Sequence, residues 1–348
     1  MKLNVLKISD VKAGHITITD GVIDAIKQNS DIDITTLTVK LRAKFLIPIL
    51  KFIIHNQRLN QPILRYPNII KLFYKGINEF ALPIDIIIST GGDTSFLNIW
   101  LSQLYKAKNI YCSSLRGISA KYFSLIITTE DIGVSNSIVL EMAPVKINLN
   151  DNNDIIDKFS RTNNIQKDVK YYVLMIGGNG AGYKYNKNDF KNLIEKFMYI
   201  VQRDNAKALI TTSRRTGLEN EYFIKDTFSK YQDDIAYEVY FNQKPQKVVS
   251  IFLSLGSVIF VTEESGSMIT EAVLAKKPVF TVQPLDVKPQ PKYELFLYRL
   301  FSKHRIKRLE ISKKWQDIKI DDTDFDFIKQ APIEILSDKL QSFLKDIK

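Results

Sequence analysis

The apolar run Val258-Ile259-Phe260-Val261 ends on Thr262-Glu263-Glu264-Ser265-Gly266-Ser267, and a helical pattern over Met268–Ala275 follows at once. Lys277-Pro278 closes that pattern, and Val279–Val282 begins another strand. Strand, small-residue turn, helix and strand in succession describe a βαβ unit of a parallel sheet. Its polar residues fall at the carboxyl end of the first strand, which is the ligand-binding edge of open α/β sheets.

The same rhythm runs along the whole chain. Strands are predicted at Leu3–Ile8, Ile32–Val39, Ile84–Ser89, Asn109–Ser113, Phe123–Thr128 and Ser137–Glu141, with helices over Ile16–Lys27 and Phe96–Tyr105. An Asn- and Asp-rich stretch, poor in large apolar residues, then interrupts the pattern. It restarts with strands at Tyr172–Ile176, Ala206–Thr211 and Ala236–Tyr240 and helices over Lys187–Asp204, Glu219–Tyr231 and Lys247–Leu255. The tail Pro332–Ile347 reads as an amphipathic helix. The expected fold class is therefore α/β and GT-B-like, two doubly wound Rossmann-like domains facing a central cleft. The expected boundaries are 1–145 for the first domain, 146–169 for the linker, 170–330 for the second domain and 331–348 for a closing helix. Fold analogy constrains function weakly, so the turns must carry the argument.

Composition narrows the class. The chain has 348 residues, 45% hydrophobic and 25% charged, enough for two full cores. No apolar run reaches the roughly eighteen residues that a membrane span needs. The N-terminus reads as a strand and its loop, not as a signal peptide. The single Cys112 excludes an internal disulfide and fits a reducing compartment. The few histidines lie far apart, so neither a metal nor a cofactor is expected, and the expected location is cytoplasmic.

The net charge of +11 is unevenly spread. No acid occurs from Ile34 to Asn78, where Lys40, Arg42, Lys44, Lys51, Arg58, Arg65, Lys71 and Lys75 interleave with runs such as Phe45–Leu50 and Leu72-Phe73-Tyr74. Such a mixture suits a helix lying in the headgroup region of anionic lipid, peripheral to the inner face of a membrane. It equally suits a core helix with a solvated basic face. No nucleic-acid-binding motif is present, and nucleic acid is not an expected partner.

Three turns of the second half look aimed at one anion. Met175–Tyr185 carries Gly177, Gly178, Gly180 and Gly182, which free the backbone to present N–H groups to a phosphate. Asn186 is expected to cap the helix that follows. Ile210–Gly217 ends a strand on hydroxyls and on Arg214-Arg215, whose guanidinium groups suit phosphate. Ser265, Gly266 and Ser267 lie at a helix start, where free N–H groups concentrate positive charge. Glu271, one turn on from Ser267, could accept the hydroxyls of a ribose. The plainer alternative makes Ser267 an N-cap and Glu271 a solvated acid. In the first half, His15 stands at a helix start as a candidate general base, and Asp93 in Ser89–Ser95 is a second. Each has a bland counterpart, as a packed turn residue and a helix cap. His55 and His304 have no such setting.

Taken in order, these turns resemble those of the ELM1-like family, that of the plant mitochondrial fission protein ELM1 and its bacterial relatives. Lys12–His15 is similar to the family's Lys-Pro-Gly-His, Ser114–Arg116 to its Asp-Pro-Arg and Thr129–Asp131 to its Pro-Glu-His-Asp. MIGGNGAGYKY resembles its Gly-Gly-Pro-x-Gly turn, ITTSRRT its Thr-Thr-Ser-Arg-Arg-Thr, and VTEESGSMITEAVLAKKPVF its Val-Thr-x-Asp-Ser-x-Ser-Met-x-x-Glu-Ala run. Thr90–Thr94 departs from it, with Asp93 where a basic residue is usual. The resemblance implies a GT-B glycosyltransferase acting on a cell-envelope glycan or lipopolysaccharide-type acceptor at a membrane surface. It places Arg214, Ser265, Ser267 and Glu271 in a nucleotide-sugar donor site, to which Gly177, Gly178, Arg215, Glu264 and Gly266 of the same turns are also expected to belong. Lys12, Gly14, Arg116 and Glu130 fall on the acceptor side. A non-catalytic membrane-surface interaction protein and a nucleotide-sugar epimerase are the alternatives.

Overall fold

The computed structural model describes residues 2–77, 83–145 and 153–347, which pack as two compact units, Met1–Lys146 with Gln330–Lys348, and Ile147–Lys329. In the first unit the order is β1 (Leu3–Ser9), α1 (Ala13–Lys27), β2 (Ile32–Thr38), β3 (Lys40–Leu41), α2 (Leu46–His55), α3 (Gln57–Arg65), α4 (Ile70–Phe73) and β4 (Tyr74–Lys75). Then come β5 (Ile86–Thr90), α5 (Ser95–Tyr105), β6 (Lys108–Cys112), β7 (Leu125–Thr128) and β8 (Ser137–Val139). Six strands form a parallel sheet in the order β2-β1-β5-β6-β7-β8, and β3 and β4 make a separate antiparallel pair.

Both faces of that sheet are covered, which is why inner strands such as β5 and β7 read as continuous apolar runs. Leu6, Ile8 and Ile87 join one core with Phe96 and Trp100 of α5, Leu50 and Ile54 of α2 and Ile63 of α3. Val5, Ile86 and Ile88 join the other with Val22 and Ile26 of α1. A last helix, α12 (Pro332–Lys345), completes this second layer through Leu336, Leu340 and Leu344, and Asn29 Nδ2 donates to Ser337 Oγ at 2.8 Å.

The second unit runs α6 (Asn153–Thr162), β9 (Tyr171–Ile176), β10 (Tyr183–Lys184), α7 (Lys187–Arg203), β11 (Lys207–Thr212), α8 (Leu218–Phe228), β12 (Ile235–Val239) and α9 (Val249–Leu255). It continues with β13 (Val258–Thr262), α10 (Gly266–Leu274), β14 (Val279–Gln283), β15 (Asp286–Val287), α11 (Pro291–Ser302) and β16 (Lys307–Glu310). Its parallel sheet has the order β12-β11-β9-β13-β14-β16. Asn186 caps α7 with a full capping box shared with Asp189, as the sequence suggests. Of the linker stretch, 146–152 lies outside the described residues, while α6 packs into this unit, Phe159 meeting Phe252 edge-on at 6.2 Å.

The strand orders fix where a ligand can sit. Chain direction across each sheet reverses beside its first strand, at β1/β5 in one unit and β9/β13 in the other. The carboxyl ends of these strand pairs diverge and leave a crevice, the switch point of doubly wound folds. Asp10–His15 and Gly91–Asp93 leave the first pair, and Gly177–Gly180 and Glu264–Ser267 leave the second.

Candidate functional site

In the second unit the glycine turn after β9 is locked onto the ends of β13 and β11. Gly177 N–H donates to Thr262 Oγ1 at 2.7 Å and Gly178 N–H to the Glu264 carboxylate at 2.9 Å, while Gly180 N–H closes on Tyr183 O at 3.1 Å. Ser213 Oγ donates to Gly177 O at 3.1 Å, and the Thr216 hydroxyl donates to Ile176 O at 3.1 Å and also to Gly177 O. The expectation that Gly177, Gly178 and Gly180 offer their N–H groups to a phosphate is thus corrected. These donors are used within the protein. The glycines serve close approach instead, since a Cβ on Gly177 would lie 1.5 Å from Glu264 Oε1 and one on Gly178 2.3 Å from Arg215 O.

The charged groups around this turn fall into used and unused sets. Arg215 Nη2 lies 3.5 Å from Glu264 Oε1, whereas the exposed Arg214 has no hydrogen bond or ion pair among the described residues. Glu264 is 1% exposed, and its Oε2 is buried with no hydrogen-bond partner. Burial pushes its carboxyl up to about 7, against the opposing pull of Arg215, Thr262 and the Gly178 N–H. Helix α10 starts at Gly266, earlier than the sequence pattern suggests, and Ser265 rather than Ser267 holds the N-cap position, without a side-chain cap bond. Ser267 is exposed, its hydroxyl 3.4 Å from that of Ser265. The first-turn N–H groups of such a helix have no intrahelical acceptor and carry partial positive charge. Glu271 is half-buried on α10, unpartnered among the described residues, and burial raises its carboxyl to about 7.

Two buried carboxylates brace this site and escape sequence reading. Glu263 takes a bidentate ion pair from Arg308 at 2.7 and 2.9 Å, and Arg308 also holds Glu294 at 2.6 Å. Glu221 of α8 accepts from Thr212 Oγ1 at 2.6 Å and from the backbone and side chain of Asn242, which ties the end of β11 to the segment after β12. Spacing gave no sign of their partners: Glu221 sits in a helical pattern that looks solvated, and Glu263 stands in the polar turn after β13 with its Arg308 far along the chain.

In the first unit the predicted residues gather after β1 and β5. Asp10 accepts from Lys12 Nζ at 2.9 Å and lies 2.9 Å from His15 Nδ1. Lys12 Nζ also reaches Asp93 at 2.7 Å, so the second candidate base is already engaged by a cation. Burial works to raise the Asp10 carboxyl, but Lys12 and His15 outweigh it and hold it below its usual range. Burial likewise works to lower the Lys12 ammonium, and Asp93 and Asp10 hold it above. Gly91, at φ +92°, lets the imidazole lie on the β5 turn, since a Cβ there would sit 2.2 Å from His15 Cε1. Val11 takes a left-handed φ of 58°, uncommon for a β-branched residue. Arg116 packs against Gly92, its Nη1 3.3 Å from where a Cβ would stand. Gly14 is exposed, and Glu130, half-buried, donates its N–H to Thr128 Oγ1 at 3.1 Å.

Comparison with known proteins decides the family. A model of mitochondrial fission ELM1 matches residues 13–325. The chain belongs to the mitochondrial fission ELM1 family. No curated protein matches it. Among solved structures, UDP-GlcNAc 2-epimerase from Methanocaldococcus jannaschii superposes with a TM-score of 0.56 at 13% identity, covering 98% of this chain and 100% of that one. The Neisseria meningitidis UDP-GlcNAc 2-epimerase bound to UDP-GlcNAc gives 0.53 at 11% identity, with 99% and 100% covered. A glycosyltransferase from Rickettsia africae ESF-5 gives 0.50 at 10%, with 99% and 94% covered. At these identities the likeness shows the fold, which is GT-B-like as the sequence suggested. Among the described residues of this ELM1-family chain, no group of three or more His, Cys, Asp and Glu is placed to hold a metal ion, and no helix is long and apolar enough to cross a membrane.

Proposed function

We propose that this ELM1-family protein is a GT-B glycosyltransferase that takes a sugar from a nucleotide-activated donor and passes it to a glycan or glycolipid acceptor at a membrane surface. The observation that carries the reading is a helix start at the β9/β13 switch point, with Glu271 one turn along it unpartnered among the described residues, next to a β11 turn whose Arg215 reaches Glu264 and whose Arg214 has no partner among the described residues. The diphosphate would lie at Ser265-Gly266-Ser267 and be neutralised by Arg214 and Arg215, and Glu271 would accept from the ribose hydroxyls. Arg and a helix start stabilise the charge that develops on the departing diphosphate.

The acceptor belongs to the first unit. As the base of an inverting reaction, His15 would take the proton of the acceptor hydroxyl on Nε2. Asp10 on Nδ1 sets the tautomer and steadies the imidazolium that forms. Lys12, Gly14, Arg116 and Glu130 would serve the acceptor from the turns after β1, β6 and β7. The membrane surface is proposed from α2, whose buried face carries Leu50 and Ile54 while Phe45, Ile49 and Phe52 stay exposed among Lys44, Lys51 and Arg58. A helix apolar on two faces needs a second apolar partner, and the basic residues favour anionic lipid.

Calorimetric titration with UDP, GDP, CMP and ADP tests the donor site. Micromolar binding of one nucleotide, weakened at least tenfold in Glu271→Ala and intact in His15→Ala, is the expected result. A nucleotide sugar consumed without any acceptor would favour an epimerase, a reading supported by the fold match to two such enzymes. Binding of none of the four would favour a non-catalytic surface protein.

A further inference from the structure

Glu264 is an acid in an unexpected place. A carboxylate buried beneath the glycine turn, with one oxygen orphaned, carries a desolvation cost that packing alone does not explain. The groups facing it come from five segments. Arg215 approaches from the segment after β11, Tyr185 from the segment after β10 and Tyr293 from α11, while Thr262, Glu263 and the Gly178 N–H adjoin it from β13 and the turn. Glu263 is taken up by Arg308, so among the described residues Arg215 is the cation that Glu264 has.

We propose that the Glu264 carboxylate is a stand-in for the ligand's own anion: a nucleoside diphosphate binding at the start of α10 draws Arg215 away, and Glu264 takes up one proton from solvent in its place. This rests on the donor-site reading above. The geometry makes the two anions rivals. Arg215 is partly exposed and holds Oε1 at 3.5 Å, a loose contact that a diphosphate can replace with a bidentate one. Stripped of its cation and set beside a bound diphosphate, a buried carboxylate is driven to the neutral form by desolvation and by like charge together. Neutral Glu264 keeps its carbonyl oxygen on the Gly178 N–H, so the turn need not move. Its ionisation near neutrality in the free protein, at about 7, means the exchange is felt at physiological pH.

The test is calorimetry with UDP and with ADP at pH 8 in buffers of different ionisation enthalpy, on wild type, Glu264→Gln and Arg215→Gln, with thermal midpoints checking that each variant is folded. Wild type is expected to take up close to one proton per nucleotide, with Kd rising nearly tenfold per pH unit above 7. Glu264→Gln, which keeps an acceptor for Gly178, is expected to bind with no uptake from this site and a flat pH profile. Arg215→Gln is expected to show reduced uptake, because Glu264 without its cation is already protonated. Binding with little or no proton uptake in wild type, or uptake unchanged in Glu264→Gln, overturns the exchange while leaving the donor site standing. Failure of both nucleotides to bind wild type overturns the donor site and the exchange with it. Should Glu264→Gln not fold, the wild-type and Arg215→Gln uptakes decide.

Discussion

At the scale of single residues, the protein's buried acids set how it responds to pH. Glu264 and Glu271 both have carboxyls raised by burial from 4.5 to about 7. Between those values the native state keeps protons that the unfolded chain has lost, so stability falls as pH rises through that window and the cost is complete above 7. For Glu264, almost wholly buried, it is on the order of 3 kcal/mol. Glu264→Gln is therefore expected to raise the melting temperature above pH 7 and to leave it nearly unchanged near pH 4.5, as differential scanning calorimetry across pH would record. Gly91→Ala should behave in the opposite way, losing about 1–3 kcal/mol at every pH, because it combines a left-handed φ with an imidazole where its Cβ would go. Loss of transfer activity beyond that expected from unfolding would show that His15 had moved. These roles were not all legible in the sequence. The turns were visible as Gly, Ser and Arg at strand ends. That Gly177 and Gly178 spend their N–H groups on Thr262 and Glu264 was not, because spacing shows which backbone is free to bend but not what it bends onto.

At the scale of elements, central strands were the easiest to read and edges the hardest. Tyr171–Ile176 and Val258–Thr262 are buried throughout, so their apolar runs declare them. The edge strand β16, Lys-Arg-Leu-Glu, has no such run, and its Arg308 is spent on a buried ion pair. α11 was missed for a similar reason, since Leu295, Tyr298 and Phe301 lie exposed and blur its apolar stripe. For α2 the sequence left lipid surface and core helix side by side, and the structure buries one apolar face and leaves another exposed. Phe45 is 73% and Phe52 64% exposed, while Leu50 and Ile54 are buried. Phe45→Asp with Phe52→Asp should reduce sedimentation with phosphatidylserine-containing vesicles at least tenfold without lowering the melting temperature by more than about 1 kcal/mol equivalent. Equal binding of the double variant would remove the lipid face from the proposal.

At the scale of the whole molecule, the chain forms two units of one plan, each built on a six-stranded parallel sheet. The restart of the βα rhythm made two sheets legible, but nothing in the tail's alternation told which core it would join. Its partners on α1 lie more than three hundred positions away, as with Asn29 and Ser337. Leu340→Ala should cost about 2–5 kcal/mol. It should act on the first unit, with hydrogen exchange quickening in α1 and β5 before the second sheet is affected.

That return of α12 also sets an order on synthesis. The first unit's sheet is translated before the second unit, yet one of its faces has no helix from α12 until the entire second unit has been made. In the interval Val22, Ile86 and Ile88 lack Leu336 and Leu340 of their core. The nascent first unit is then an incomplete sandwich with an apolar side open to chaperones, and α12 is the element that closes it.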